Sequence, residues 1–162
     1  MDSSDLISLT FYTVHIFNIA TASIIIWLSS SLKSFYTCPN DVCVYGMFTT
    51  HLNRLMNFVN ITSIVHLIFI FFCFVTFFML GKYTDNKQTI YFTKKRKGKF
   101  GVIVLYSVQL FLSGIIAGAL LSNDFVTRTT STSPNGGKVN LLKVFAIIHV
   151  VTSGSVFGIE SF

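Results

Sequence analysis

The stretch HLIFIFFCFVTFFML, residues 66–80, decides how this chain is read, because it is apolar on every side of a helix. A helix apolar all round has no water-facing side and belongs in a core or in lipid. Reading outward, the uncharged run extends from Arg54 to Lys82 and so encloses more than twenty residues without Asp, Glu, Lys or Arg. Asp5 to Lys33 and Lys99 to Asp124 enclose two more runs of that kind, and a shorter one lies between Lys143 and Glu160. A hydrocarbon core about 30 Å thick needs roughly 20 apolar helical residues. The pattern therefore predicts an all-α, integral membrane four-helix bundle with spans at about 7–29, 57–80, 100–121 and 141–159.

The rest of the composition agrees. Of the 162 residues, 52% are hydrophobic and only 11% charged, where a soluble domain carries about 25% charged residues. Little chain is left for a domain outside the spans. The 18 Phe and the many Ile fit a codon bias toward A and T and imply nothing about activity. The head MDSSDLIS has no basic region and no small-residue cleavage site follows it, so the first span reads as an anchor. Both prolines, Pro39 and Pro134, fall between spans. Even spacing then predicts up-down-up-down antiparallel connectivity in a single domain with short loops.

The net charge is +6, and seven of the twelve basic residues lie in the loop 81–99. Its densest part is KKRKGK, where Lys94, Lys95, Arg96, Lys97 and Lys99 are candidates for contact with anionic lipid headgroups, at about 1 kcal/mol per basic residue near the surface, or with an acidic protein partner; nucleic acid is not expected. The positive-inside rule compares these seven with five on the other side (Lys33, Arg54, Arg128, Lys138, Lys143). It places both termini and the 81–99 loop on the cytoplasmic, matrix or interior side.

Cys38 and Cys43 flank a turn-forming Pro-Asn-Asp and are a disulfide candidate on the opposite, oxidising side. A metal site there with His51 would lack a fourth ligand. Gly114 and Gly118 in the third span and Gly154 and Gly158 in the fourth form two GxxxG patterns. Gly114 is ten residues from Asp124 and Gly154 eleven from Lys143, so both lie roughly 15 Å below one face. Close packing of spans three and four at these glycines is predicted; the alternative is that one stripe faces a partner subunit.

Polar side chains inside the spans are the remaining candidates: His15 and Asn18, Asn60, Ser63 and His66, Gln109 and Ser113, His149 and Ser153. Most follow i, i+3 or i, i+4 spacing and share a helix face. Leaving them unpaired in lipid is costly, so a polar seam inside the bundle is predicted, held by interhelical hydrogen bonds. An alternative is one haem b held by His66 and His149, which lie at similar depth. A second alternative is a small oligomeric channel or transporter lined by the seam, although acidic residues, which often mark such paths, are missing from the predicted spans. No P-loop, GxGxxG or GxSxG motif occurs, and Asn60-Ile-Thr62 is a glycosylation sequon at or inside the membrane boundary.

In outline, the four spans, the Cys-bearing first loop and the basic middle loop are similar to MARVEL-type and other tetraspan membrane organisers. The CCG of tetraspanins and the GLWxxC of claudins do not occur, and the resemblance transfers no functional residue. The leading expectation is a non-enzymatic structural or assembly subunit of a larger membrane-embedded complex, without a cofactor. Either a respiratory-type complex or the membrane-associated capsid layer of a large virus suits this reading.

Overall fold

A computed structural model describes residues 3–35, 46–83, 96–123 and 136–161. These form four α-helices: α1 (Ser3–Phe35), α2 (Gly46–Tyr83), α3 (Arg96–Ser122) and α4 (Gly136–Ser161). Each contains a segment long and apolar enough to cross a membrane, namely Tyr12–Lys33, His51–Val75, Ile103–Ser122 and Gly136–Gly158. Every helix runs past the limits expected from the charge gaps. Helix formation follows the backbone rather than the hydrocarbon boundary, and no proline falls within the four segments. Arg54, Lys82, Arg96, Lys97 and Lys99 are thus helical. Cys38, Cys43, Lys94 and Lys95 lie outside the described residues.

α1 packs against α2 and α4, and α3 packs against the same two helices, so α1 and α3 stand diagonally opposite. The contacts between α1 and α4 have a definite order. Lys138 donates to Ser31 (3.2 Å), Thr21 meets His149 (2.8 Å), and Thr152 and Ser153 meet Asn18 (3.2 and 3.3 Å). As the chain advances along α1 its partners on α4 recede. The same holds for α1 and α2, where Asn60 bonds near Ser29 and Ser30 while Phe74 lies against Tyr12 and His15.

The buried positions follow helical spacing on each element. On α1 they include His15, Asn18, Ala22, Ile25, Leu28 and Leu32, and on α4 Val139, Leu142, Ala146, His149, Ser153 and Val156. One large aliphatic cluster fills one end of the bundle, with Ile25, Leu28, Leu32, Leu52, Met56, Ile116, Leu120 and Leu142 among its members. A small one, Tyr106 and Val156 flanked by Val14 and Phe157, occupies the other. Between them in chain position lies a belt of buried polar side chains.

The outer surface is the reverse. Phe17, Trp27, Ile61, Ile68, Phe71, Phe72, Val104, Phe111, Val144, Ile147 and Val151 all face outward. Hydroxyls on that surface fold back onto their own helix: Thr13 donates to the Leu9 carbonyl, Ser23 to Ile19, Ser107 to Ile103 and Ser155 to Val151, at 2.7–2.9 Å. Folded back in this way, each hydroxyl is satisfied without water or a neighbouring helix.

The two faces should respond differently to truncation. Met56→Ala, inside the aliphatic cluster, should cost about 2–4 kcal/mol in a denaturation measurement in detergent or bilayer, and Phe111→Ala, on the outer face, well under half of that.

Candidate functional site: a polar belt between two apolar layers

Helical phase builds the belt. Asn18 and Thr21 on α1, Ser63 and His66 on α2, Gln109 and Ser113 on α3, and His149 and Ser153 on α4 recur at three or four residues and are all buried. His66 lies nine residues from the Val75 end of its candidate span and His149 nine from the Gly158 end, or about 14 Å along each helix.

The core of the belt is a chain of hydrogen bonds across three helices. Thr21 Oγ1 lies 2.8 Å from His149 Nδ1, and His149 Nε2 lies 3.0 Å from His66 Nδ1. The two imidazole rings have centroids 4.8 Å apart and are tilted by 57°. Thr21 Oγ1 also lies 2.9 Å from its own helix's Asn18 carbonyl. A hydroxyl has one hydrogen, so two proton arrangements satisfy the chain. If Thr21 donates to the carbonyl, His149 Nδ1 donates to Thr21 and His66 Nδ1 to His149. If Thr21 donates to His149, every donor reverses. In both, His66 Nε2 ends the chain with no partner among the described residues.

One turn away, Asn18 Oδ1 accepts from Ser153, and Thr152 Oγ1 has two acceptors for its one hydrogen, Asn18 Oδ1 at 3.2 Å and its own helix's His149 carbonyl at 3.0 Å. Further along, His15 Nε2 lies 3.2 Å from the Tyr106 hydroxyl, which ties α1 to α3 across the diagonal. Tyr106 also packs edge-on against the His15 ring, with centroids 5.8 Å apart. On the α1–α2 seam the half-buried Asn60 donates to Ser30 Oγ (2.8 Å), Ser29 Oγ (3.0 Å) and the Ile26 carbonyl (3.2 Å). The amide of the Asn60 sequon is thus engaged between helices. Cys73 is buried on α2.

Thr21, Tyr106 and Thr152 are members of this network that the sequence reading did not single out. Their signal was present: Thr21 is three residues after Asn18, Tyr106 three before Gln109, and Thr152 adjoins Ser153.

Two expectations change. The first concerns the glycines. A Cβ added at Gly114, Gly118 or Gly158 would meet nothing within 4 Å, and one at Gly154 would meet Leu110 Cδ1 at an ordinary 3.8 Å. α3 and α4 do pack together, but not at matched glycines. Gln109 and Ser113 hold the inward face of α3, and Gly114 stands one residue, about 100°, past Ser113. Gly114 and Gly118 therefore face outward. The second concerns haem. With metal–imidazole bonds of about 2 Å, an iron holds two axial nitrogens about 4 Å apart on opposite sides of a flat ring. The nitrogens of His66 and His149 bond each other directly at 3.0 Å. The pair as arranged does not fit a haem, and no chemistry is assigned to one. Among the described residues there is no group of three His, Cys, Asp or Glu side chains that could hold a metal ion.

No protein-family model, curated protein or solved structure matches this chain.

Removing either histidine should weaken the bundle, and the two losses should not add. In a double-mutant cycle with His66→Phe and His149→Phe, the coupling should be about 0.6–1.7 kcal/mol, the range of interhelical hydrogen bonds within membranes. Gly114→Ala should fold as well as the parent or better, because the added methyl meets no neighbour and alanine favours helix by up to about 1 kcal/mol; thermal stability in detergent reads both.

Proposed function

We propose that this chain is a multi-pass membrane protein with a structural role, a non-enzymatic subunit around which a larger membrane-embedded complex assembles. A respiratory-type complex and the membrane-associated capsid layer of a large virus are the two settings that suit it. The observation that carries the reading is the inverted polarity of the bundle. Polar side chains at the centre cross-link the helices, while the outer faces of all four are apolar and turn their hydroxyls back onto themselves.

That polarity supports insertion in a bilayer in up-down-up-down order, as does the reversed run of contacts along α1–α2 and α1–α4. The aliphatic cluster of Leu28, Leu32, Met56, Leu120 and Leu142 packs across one end of the interior, which favours a closed bundle over an open path. α3 turns Ser107, Gly114 and Gly118 outward. A helix surface with small residues lets a neighbouring helix approach closely, and this face suits a partner subunit. The basic residues of 81–99, on the same side as both termini, would hold anionic headgroups or an acidic partner surface.

Two measurements test the proposal. Extraction from the native membrane in mild detergent, followed by size separation and mass spectrometry, should recover the chain in a defined complex. Recovery as a monodisperse monomer that conducts ions in liposomes would overturn the structural role. Sidedness is read by labelling single cysteines in a background without Cys38, Cys43 and Cys73. Asn86→Cys should react only from the interior side, and Asn123→Cys and Gly137→Cys only from the exterior.

A further inference from the structure

Six buried side-chain atoms have no hydrogen-bond partner among the described residues: Asn53 Oδ1, toward the start of α2, and five in the belt, namely His66 Nε2, Ser63 Oγ, Asn18 Nδ2 and both amide atoms of Gln109. The belt residues that carry the five are 0–1% exposed. Each such group left bare costs about 1–3 kcal/mol.

Four of the belt atoms fall in two neighbouring layers. His66 lies in the layer of His149 and Thr21. Asn18 lies one turn away, at Ser153. Gln109 precedes Leu110, whose Cδ1 approaches the position of a Cβ on Gly154, the next residue after Ser153. Ser63 is one turn before His66 on the same face of α2. α1, α2 and α3 thus carry bare polar atoms in two neighbouring layers about 6 Å apart, that of His66 and that of Asn18 and Gln109, while Ser63 lies one turn beyond His66 on the side away from Asn18.

The chemistry of these atoms restricts the ligand. His66 Nε2 needs a donor in one proton arrangement of the Thr21–His149–His66 chain and an acceptor in the other. Gln109 needs a donor and an acceptor at once, and Asn18 Nδ2 needs an acceptor. The buried polar residues include no Asp, Glu, Lys or Arg, so an ion would be uncompensated there. Water both donates and accepts, is neutral, and typically makes about three hydrogen bonds when buried.

We propose that the middle of this bundle is a hydrated site, in which ordered water joins His66 Nε2 on α2 to the Gln109 amide on α3, with Asn18 Nδ2 on α1 as a further ligand. The water completes the belt between α2 and α3, as the His66–His149 bond completes it between α2 and α4. It also gives the histidine pair a partner that accommodates either proton arrangement. The site belongs to the bundle itself, so it stands whether or not the chain joins a larger assembly.

The test is solid-state NMR on the full chain in phosphatidylcholine bilayers, with 15N in histidine rings, glutamine and asparagine side chains, reading magnetisation transfer from water. Transfer should reach His66 Nε2 and the Gln109 amide at rates comparable with Asn123, at the exposed end of α3. Transfer to Asn123 alone would overturn the site. In Gln109→Leu the water signal at His66 should fall and the unfolding constant should rise roughly fivefold, the effect of losing one hydrogen-bonded ligand. A dry centre gives the opposite sign, because leucine then removes an unpaired amide, and a more stable Gln109→Leu variant with an unchanged His66 signal would sink the proposal.

Discussion

The structure depends on one constraint: a polar group shut away from water must find a partner in its own helix or in a neighbour. Both solutions occur, the first on both faces (inward Ser29 and Ser113 donate to the carbonyls of Ile26 and Leu110) and the second only on the inward and interhelical faces. Outward hydroxyls at Thr13, Ser23, Ser107 and Ser155 return to the carbonyl four residues back. Inward groups too large or too polar for that reach across: His66 to His149, His15 to Tyr106, Asn60 to the Ser29–Ser30 turn, Asn18 to Thr152 and Ser153. A short hydroxyl can therefore be satisfied within its helix on either face, whereas the imidazoles and amides depend on a neighbouring helix.

The reach of the histidines explains why they occur here. Adjacent helices meet through short side chains, but α2 and α4 are diagonal, as are α1 and α3. An imidazole is long enough for two of them to meet across the centre, and each has a second nitrogen for a further bond. His149 uses both, holding Thr21 of α1 and His66 of α2 from α4. One residue thereby ties three helices together, and the loss of His149 would strand polar atoms on two others.

The helices could be read from the charge gaps because charge is the costliest thing to place in a membrane. The belt could be read because polar residues at three- and four-residue spacing must share a face. What the sequence hid was distance and phase. Depth arithmetic put His66 and His149 at one level, but depth says nothing of separation across the bundle, and direct contact rather than a haem's width is a matter of the third dimension. The GxxxG patterns are compatible with any face, and only their phase against Gln109 and Ser113 turns Gly114 outward. That phase was available, since a polar stripe and a glycine stripe about 100° apart cannot both face the centre. Helix ends were the least legible, because α-helical hydrogen bonding continues past the last apolar residue.

The belt's position between two apolar layers has a further consequence. Lipid tails are as apolar as leucine, so aliphatic contacts between helices gain little from burial and depend on packing alone. A stripe such as Leu28, Leu32, Met56, Leu120 and Leu142 could be packed in more than one register, with one helix slid along another. Hydrogen bonds do not tolerate that slide. Moving α4 by one turn would carry His149 about 5.4 Å from Thr21 and His66 at once, and would part Asn18 from Ser153. Polar groups that fix register at a single level are among the better attested uses of buried polarity. The aliphatic layer supplies the contact area, and the belt selects which of its near-equivalent packings is kept.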